Sequence, residues 1–225
     1  MKQIVFCGYR EWAFEIYDFV KDKYNDKLEI ILVKDPKEFD KLNFYKIKPI
    51  AVFLIGWSWI IKPEIINNCL CICLHPSSLP KYRGGSPIQN QIINGEKESA
   101  VTYFKMNNEI DAGPIIWQQK FSLEGDLKDV FSRISETGKK GFSYILNMIL
   151  DGKTLKMTPQ DNSKATMYKR RKPEQSEIKL EDFKNYTATE LYNKIRCLQD
   201  PYPNAYVVCK NNTRLYIKKA STENE

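Results

Sequence analysis

Four short apolar runs rich in β-branched residues, Gln3–Cys7, Leu28–Val33, Ile50–Ile55 and Cys69–His75, recur along the first third of the chain. Longer amphipathic stretches separate them; in Glu11–Asn25, for example, Trp12, Ile16, Phe19 and Val20 fall on one helical face. A strand that is apolar on both faces is stable only where both faces are covered. The alternation therefore predicts an α/β fold, a Rossmann-like, mostly parallel sheet with helices on both faces. A second set follows, with strands over Ala100–Met106 and Pro114–Phe121 and a helix from Asp126 to Leu150 that Gly152 is placed to stop. Residues 1–160 form the main domain on this reading. Beyond it the charge rises, a helix spans Ala188–Leu198, and strands over Ala205–Cys209 and Arg214–Lys218 flank Asn211-Asn212 as a hairpin. Residues 161–225 are expected to be a short α+β extension.

Bulk composition narrows the classes. At 225 residues, 42% hydrophobic and 28% charged, the chain can bury a core without metals or disulfides. MKQIVFCGYR reads as a first core strand and not as a signal peptide, and no run reaches the ~18 apolar residues of a membrane span. With six cysteines and no secretory signal, reduced thiols and a cytoplasmic location are expected. A net charge of +7 favours an anionic partner: RNA, a membrane surface or a phosphorylated small molecule. Gly8 stands alone after the first strand, without Gly-x-Gly-x-x-Gly, which argues against a nicotinamide dehydrogenase. Cys69, Cys71, Cys73 and His75 alternate, but same-face neighbours on a strand are ~6.6–6.8 Å apart, too far to share one tetrahedral zinc. No metal is expected.

The single histidine is the sharpest feature. His75 closes an apolar run at the strand end where open α/β sheets bind ligands, and Pro76 and Pro80 stop the strand. The basic, glycine-rich stretch Lys81-Tyr82-Arg83-Gly84-Gly85-Ser86-Pro87 follows, read as an exposed loop suited to an anion. Further on, Asp111 stands beside Ala112, Gly113 and Pro114 in a polar loop between two strands, where backbone can approach a ligand. By itself that loop is an ordinary turn.

Together these segments resemble the folate-dependent formyltransferase family. The resemblance rests on His75-Pro76-Ser77-Ser78-Leu79-Pro80-Lys81-Tyr82-Arg83-Gly84, on Asp111-Ala112-Gly113-Pro114-Ile115, on Ser86-Pro87-Ile88-Gln89, and on Ile195-Arg196 with Pro201-Tyr202-Pro203-Asn204-Ala205. It implies transfer of a formyl group from N10-formyltetrahydrofolate to an amine, with His75 as general base or proton relay and Asp111 orienting it. The family has an asparagine two residues before the histidine; this chain has Cys73, whose thiol is a weaker donor to a developing oxyanion. The resemblance also implies a pterin pocket around Ile55, Trp57, Asn107 and Ile110.

Among relatives, Arg83-Gly84-Gly85-Ser86-Pro87, Gly8-Tyr9-Arg10-Glu11-Trp12-Ala13 and Gly56-Trp57-Ser58-Trp59 are most similar to sugar N-formyltransferases. That implies as acceptor a nucleotide-linked amino-dideoxy sugar, dTDP-3-amino- or dTDP-4-amino-dideoxyglucose, serving lipopolysaccharide or capsule synthesis. The initiator-tRNA enzyme carries a further C-terminal β-barrel for which this sequence has no room, and the glycinamide ribonucleotide enzyme has Lys-Tyr-Pro-Gly in place of Lys81-Tyr82-Arg83-Gly84. Arg10, Lys81, Arg170 and Arg171 become candidates for a diphosphate and Tyr202 for stacking on a base. No nucleic acid or membrane partner is expected, and a homodimer is an expectation of the resemblance. The rival readings are a non-catalytic nucleotide- or folate-binding relative, and formylation of Met-tRNA or glycinamide ribonucleotide.

Overall fold

The computed structural model describes residues 1–223. Its elements run β1 (Lys2–Cys7), α1 (Glu11–Tyr24), β2 (Leu28–Val33), α2 (Pro36–Asp40), α3 (Phe44–Ile47), β3 (Ala51–Ile55), α4 (Pro63–Asn68) and β4 (Cys71–His75). Then come β5 (Arg83–Gly84), α5 (Pro87–Ile93), β6 (Glu98–Lys105), β7 (Ile115–Ser122) and α6 (Leu127–Leu150). The chain finishes with β8 (Met167–Tyr168), α7 (Asp182–Asn185), α8 (Ala188–Arg196), β9 (Ala205–Val208) and β10 (Arg214–Ile217).

The main sheet has the order β2-β1-β3-β4-β6-β7. Its β1–β2, β1–β3 and β3–β4 pairs are parallel, and β4–β6 and β6–β7 are antiparallel. The sheet is therefore mixed and mostly parallel. Strand alternation sorts the side chains: Ile4, Phe6, Phe53, Ile55, Ile72 and Leu74 face the α1/α6 side, while Val5, Cys7, Val52, Leu54 and Cys71 face the smaller core of α2–α4. Each large apolar side chain buried this completely contributes roughly 1.5–3 kcal/mol. The cysteine thiols follow the same parity, and Cys71 lies against the Ile65 carbonyl of α4. Cys69 is not on β4 at all; it is the C-cap of α4.

Helix α6 crosses the sheet beside α1 because two glycines let it approach. A Cβ at Gly138 would meet Ile16 at 2.6 Å, and one at Gly141 would meet Trp117 and Tyr103 at 2.5 and 2.6 Å. The helix ends at Leu150, and Gly152 follows with φ 68°, the left-handed geometry that terminates helices. The C-terminal residues are pinned to this body. Arg196, buried, donates to the carbonyls of Leu123 and Gly125 and to Asn193. The β9–β10 hairpin turns at Asn211-Asn212, with Asn212 at φ 59°. Helix α8 is two residues shorter than Ala188–Leu198, ending at Arg196, and is opened by the Thr187–Glu190 reciprocal cap.

Candidate active site

His75, at the end of β4, is 6% exposed. Its Nε2 lies 2.7 Å from the Tyr82 carbonyl. A carbonyl only accepts, so Nε2 carries the hydrogen and Nδ1 is the nitrogen left to exchange a proton. Tyr82 is set for this by a positive φ of 60°, by its N–H donating to Thr166 Oγ1 (2.8 Å), and by stacking on Tyr168 with centroids 5.0 Å apart. Nδ1 faces Asp111 Oδ2 at 3.5 Å.

Asp111 occupies a left-handed backbone position, φ 51°. Its Oδ2 accepts the Gly84 N–H (2.8 Å), and its carbonyl accepts from Gln160 Nε2 (2.8 Å), which also donates to the Gly113 carbonyl (2.7 Å). Gln160 Oε1 in turn receives Arg83 Nε (3.0 Å) and Nη2 (2.7 Å), while Nη2 also reaches Asn162 (2.9 Å). Gly113 admits no side chain, since a Cβ there would lie 1.8 Å from the Lys105 carbonyl oxygen. The glycine-rich stretch is thus not the exposed anion loop expected from its composition. Tyr82 and Arg83 are buried, and the Arg83 guanidinium is used on Gln160 and Asn162. No sequence pattern singled out Gln160, a lone glutamine in a polar stretch.

Cys73, two residues before His75, lines the same cavity. Burial first, then the negative charge of Asp111 and the neighbouring Cys71, push its thiol well above the ordinary cysteine range. It is a neutral S–H, neither nucleophile nor thiolate.

The cavity has a volume of about 960 Å³ and a lining of two kinds. One is apolar, with Leu54, Trp57, Ile61, Phe104 and Met106, and it includes Asn107 and the exposed Ile110 at its rim. Trp57 Nε1 is buried on this side without a hydrogen-bond partner among the described residues, a donor awaiting an acceptor. Ile55 does not line it. Strand parity turns its side chain into the α1/α6 core, and its carbonyl abuts Gly8, so the lining residue is Leu54. Trp59 also lines the cavity and packs on Tyr9 with centroids 4.6 Å apart.

The other side is basic. Arg10 places its guanidinium 4.5 Å from the Tyr9 ring centroid and 5.5 Å from that of Tyr202, so Arg10 and Tyr202 do meet. Arg170 and Arg171 lie over the Gly84–Ser86 turn. The Arg170 backbone occupies the space a Gly85 side chain would fill, β5 pairs with β8, and the Arg171 N–H donates to Ser86 Oγ (3.1 Å). Lys81 is not among the lining residues. It is exposed, in a turn where its carbonyl accepts from Ser77 Oγ. No described helix is long and apolar enough to cross a membrane.

This arrangement coincides with a family match. Residues 19–146 match the formyl transferase family and residues 171–225 its C-terminal domain, and the chain belongs to that family. The methionyl-tRNA formyltransferase of Moorella thermoacetica is 32% identical over 193 residues, 82% of this chain and 60% of the relative. The chain thus spans well under two thirds of that relative's length. A solved methionyl-tRNA formyltransferase from Clostridium thermocellum superposes with a TM-score of 0.83 at 30% identity, covering 100% of this chain and 95% of the other. The N-formyltransferase from Helicobacter canadensis, solved with folinic acid and dTDP-3-aminofucose, shares the fold with a TM-score of 0.67 at 22% identity, over 88% of this chain and 80% of the other.

Proposed function

We propose that the chain transfers a formyl group from N10-formyltetrahydrofolate to the amine of a nucleotide-linked amino-dideoxy sugar. The observation that carries the reading is the cavity itself: His75 and Asp111 line it together with apolar side chains and with Arg10, Arg170 and Arg171. The apolar side suits a flat heteroaromatic ring, with the unpaired Trp57 Nε1 as donor to a ring acceptor. When bound, the cosubstrate supplies an activated formyl carbon, and its transfer to an amine releases one proton. His75 Nδ1 takes that proton, because Nε2 is already committed to Tyr82. The carboxylate of Asp111 stabilises the imidazolium that results, and the proton is returned to the departing donor nitrogen. The Cys73 thiol is a weak donor toward developing negative charge on the formyl oxygen.

The basic side favours a phosphorylated acceptor of small size. Arg10, Arg170 and Arg171 suit a diphosphate, and Tyr202 suits a base. The Helicobacter enzyme crystallised with a dTDP-linked amino sugar supports the same assignment by fold likeness. The methionyl-tRNA enzymes are nearer in sequence, which keeps Met-tRNA as the second reading.

The test is a formyl-transfer assay with N10-formyltetrahydrofolate against dTDP-3-amino- and dTDP-4-amino-dideoxyglucose, initiator Met-tRNA and glycinamide ribonucleotide. Turnover of one sugar nucleotide, abolished in His75→Ala, is the expected result. Turnover of Met-tRNA alone would replace the sugar reading. Binding of a sugar nucleotide without turnover would make the chain a non-catalytic relative.

A further inference from the structure

Gln89 is out of keeping with its surroundings. It is only 3% exposed, it lines the cavity, and its Nε2 is buried with no hydrogen-bond partner among the described residues. The other polar side chains of α5 are all engaged. Asn90 donates to the Gly85 carbonyl (3.0 Å), and Gln91 donates to the carbonyls of Pro76 (2.9 Å) and Pro87 (3.0 Å) and accepts from Ser99 (2.8 Å). A buried amide without a partner destabilises a fold, and native proteins keep such a group where a ligand completes it.

Its position defines what that ligand presents. Gln91 ties α5 to Pro76, the residue after His75, so Gln89 is held on a helix anchored beside the reaction centre. Ser86, one helical turn before Gln89, accepts the Arg171 N–H, so the deep amide and the cationic segment belong to one wall. The two are graded by burial. Lys169, Arg170 and Lys172 are exposed and Arg171 is half-buried, whereas Gln89 is buried, as are Ile88, Ile134 and Leu198, which also line the cavity. Charged oxygens match the outer cations. A neutral group that both donates and accepts matches the inner amide, and the hydroxyl is the group of that kind on a sugar.

We propose that Gln89 is a specificity residue of the acceptor side, hydrogen-bonding a ring hydroxyl of the amino sugar while the apolar floor takes its deoxygenated carbon. The inference rests on the sugar-nucleotide reading and goes beyond it by naming the residue that reads the ring.

The experiment compares wild type with Gln89→Leu and Gln89→Asn on the amino sugar nucleotide that turns over and on analogues lacking each ring hydroxyl in turn. Wild type should reject one of these deoxy analogues by ~10²-fold or more in kcat/KM, because loss of that hydroxyl leaves the amide unpaired. Gln89→Leu should lower kcat/KM for the parent sugar by a similar factor, leave that analogue within about threefold, and so erase the discrimination. Gln89→Asn, which keeps the amide, should recover part of it. Thermal unfolding and quenching of tryptophan fluorescence by folinic acid should be unchanged in both variants. Equal losses on parent and analogue, or no discrimination in wild type, would overturn the role of Gln89 while leaving the sugar reading intact. Failure of wild type on every sugar nucleotide would remove the sugar reading and this inference with it.

Discussion

Replacing Asp111 with asparagine isolates its charge from its geometry. One oxygen, Oδ2, both accepts the Gly84 N–H at 2.8 Å and faces His75 Nδ1 at 3.5 Å. The Gly84 N–H requires an acceptor, so an asparagine keeps its oxygen in that place and turns its NH₂ elsewhere. The Tyr82 carbonyl still fixes the hydrogen on Nε2, so the tautomer does not change. What disappears is the attraction between a carboxylate and the imidazolium formed during transfer. Two unit charges at that separation interact by roughly 5 kcal/mol at an effective dielectric of 20, and spreading each charge over its group lowers this to about 3–4 kcal/mol. At 1.36 kcal/mol per factor of ten, kcat should fall ~10²–10³-fold. The assay is single-turnover formyl transfer at saturating cosubstrate and acceptor, with thermal unfolding measured alongside. A variant within about threefold of wild type would refute the electrostatic argument. A melting temperature lowered by more than about 5 °C would show that the residue matters instead through the loop it holds.

Four other outcomes are expected. Gly113→Ala places a Cβ 1.8 Å from the Lys105 carbonyl oxygen, so β6 and β7 must part; we expect a loss of about 1–3 kcal/mol in a denaturant titration, and a fall in kcat of ~10²-fold as Asp111 moves. Arg83→Lys breaks the paired bonds to Gln160, and should lower kcat at least tenfold with little change in the affinity for folinic acid, as followed by fluorescence. The Cys73 thiol, pushed up mainly by burial, stays protonated through and above the ordinary cysteine range, so iodoacetamide at pH 8 should label the exposed Cys209 and leave Cys73 untouched by mass spectrometry. Cys73→Asn should hold or raise kcat in the formyl-transfer assay.

The strands were legible because they are buried on both faces, which writes them as unbroken apolar runs. Direction was not. Sequence reading placed a strand near 100–106 but could not tell that it runs antiparallel to β4, because that depends on how much chain the intervening α5 consumes. Helix α5 itself is only seven residues and opens on Pro87 after a glycine-rich turn, too short to show a helical period. His75 and Asp111 stood out by residue type at a strand end and in a glycine turn, and the fold brings them within 3.5 Å. Ile55 was misassigned by one residue, which on a strand exchanges the two faces. Arg83 and Lys81 show the limit of charge as a guide. Both are cations in the same basic stretch, yet one is a buried strut and the other is exposed and not among the residues that line the cavity. Gln160 and Thr166 carried no pattern at all, and Gln89 stood out only as part of the Ser86–Gln89 motif; their roles come from partners, or the lack of one, far away in sequence.

The pairing of β5 with β8 has a consequence for how such a protein can change. Strand β5, which follows His75, and the segment carrying Arg170 and Arg171 are joined by backbone hydrogen bonds, with Arg170 seated where Gly85 has no side chain. Residues 160–172 are therefore not a detachable cover. They supply Gln160 to Asp111 and cations to the cavity lining at the same time. Exchanging the C-terminal portion at its boundary would cut through the support of the His75–Asp111 pair. Recombination that preserves activity has to carry residues 80–89 and 160–172 together, as two strands of one inherited unit.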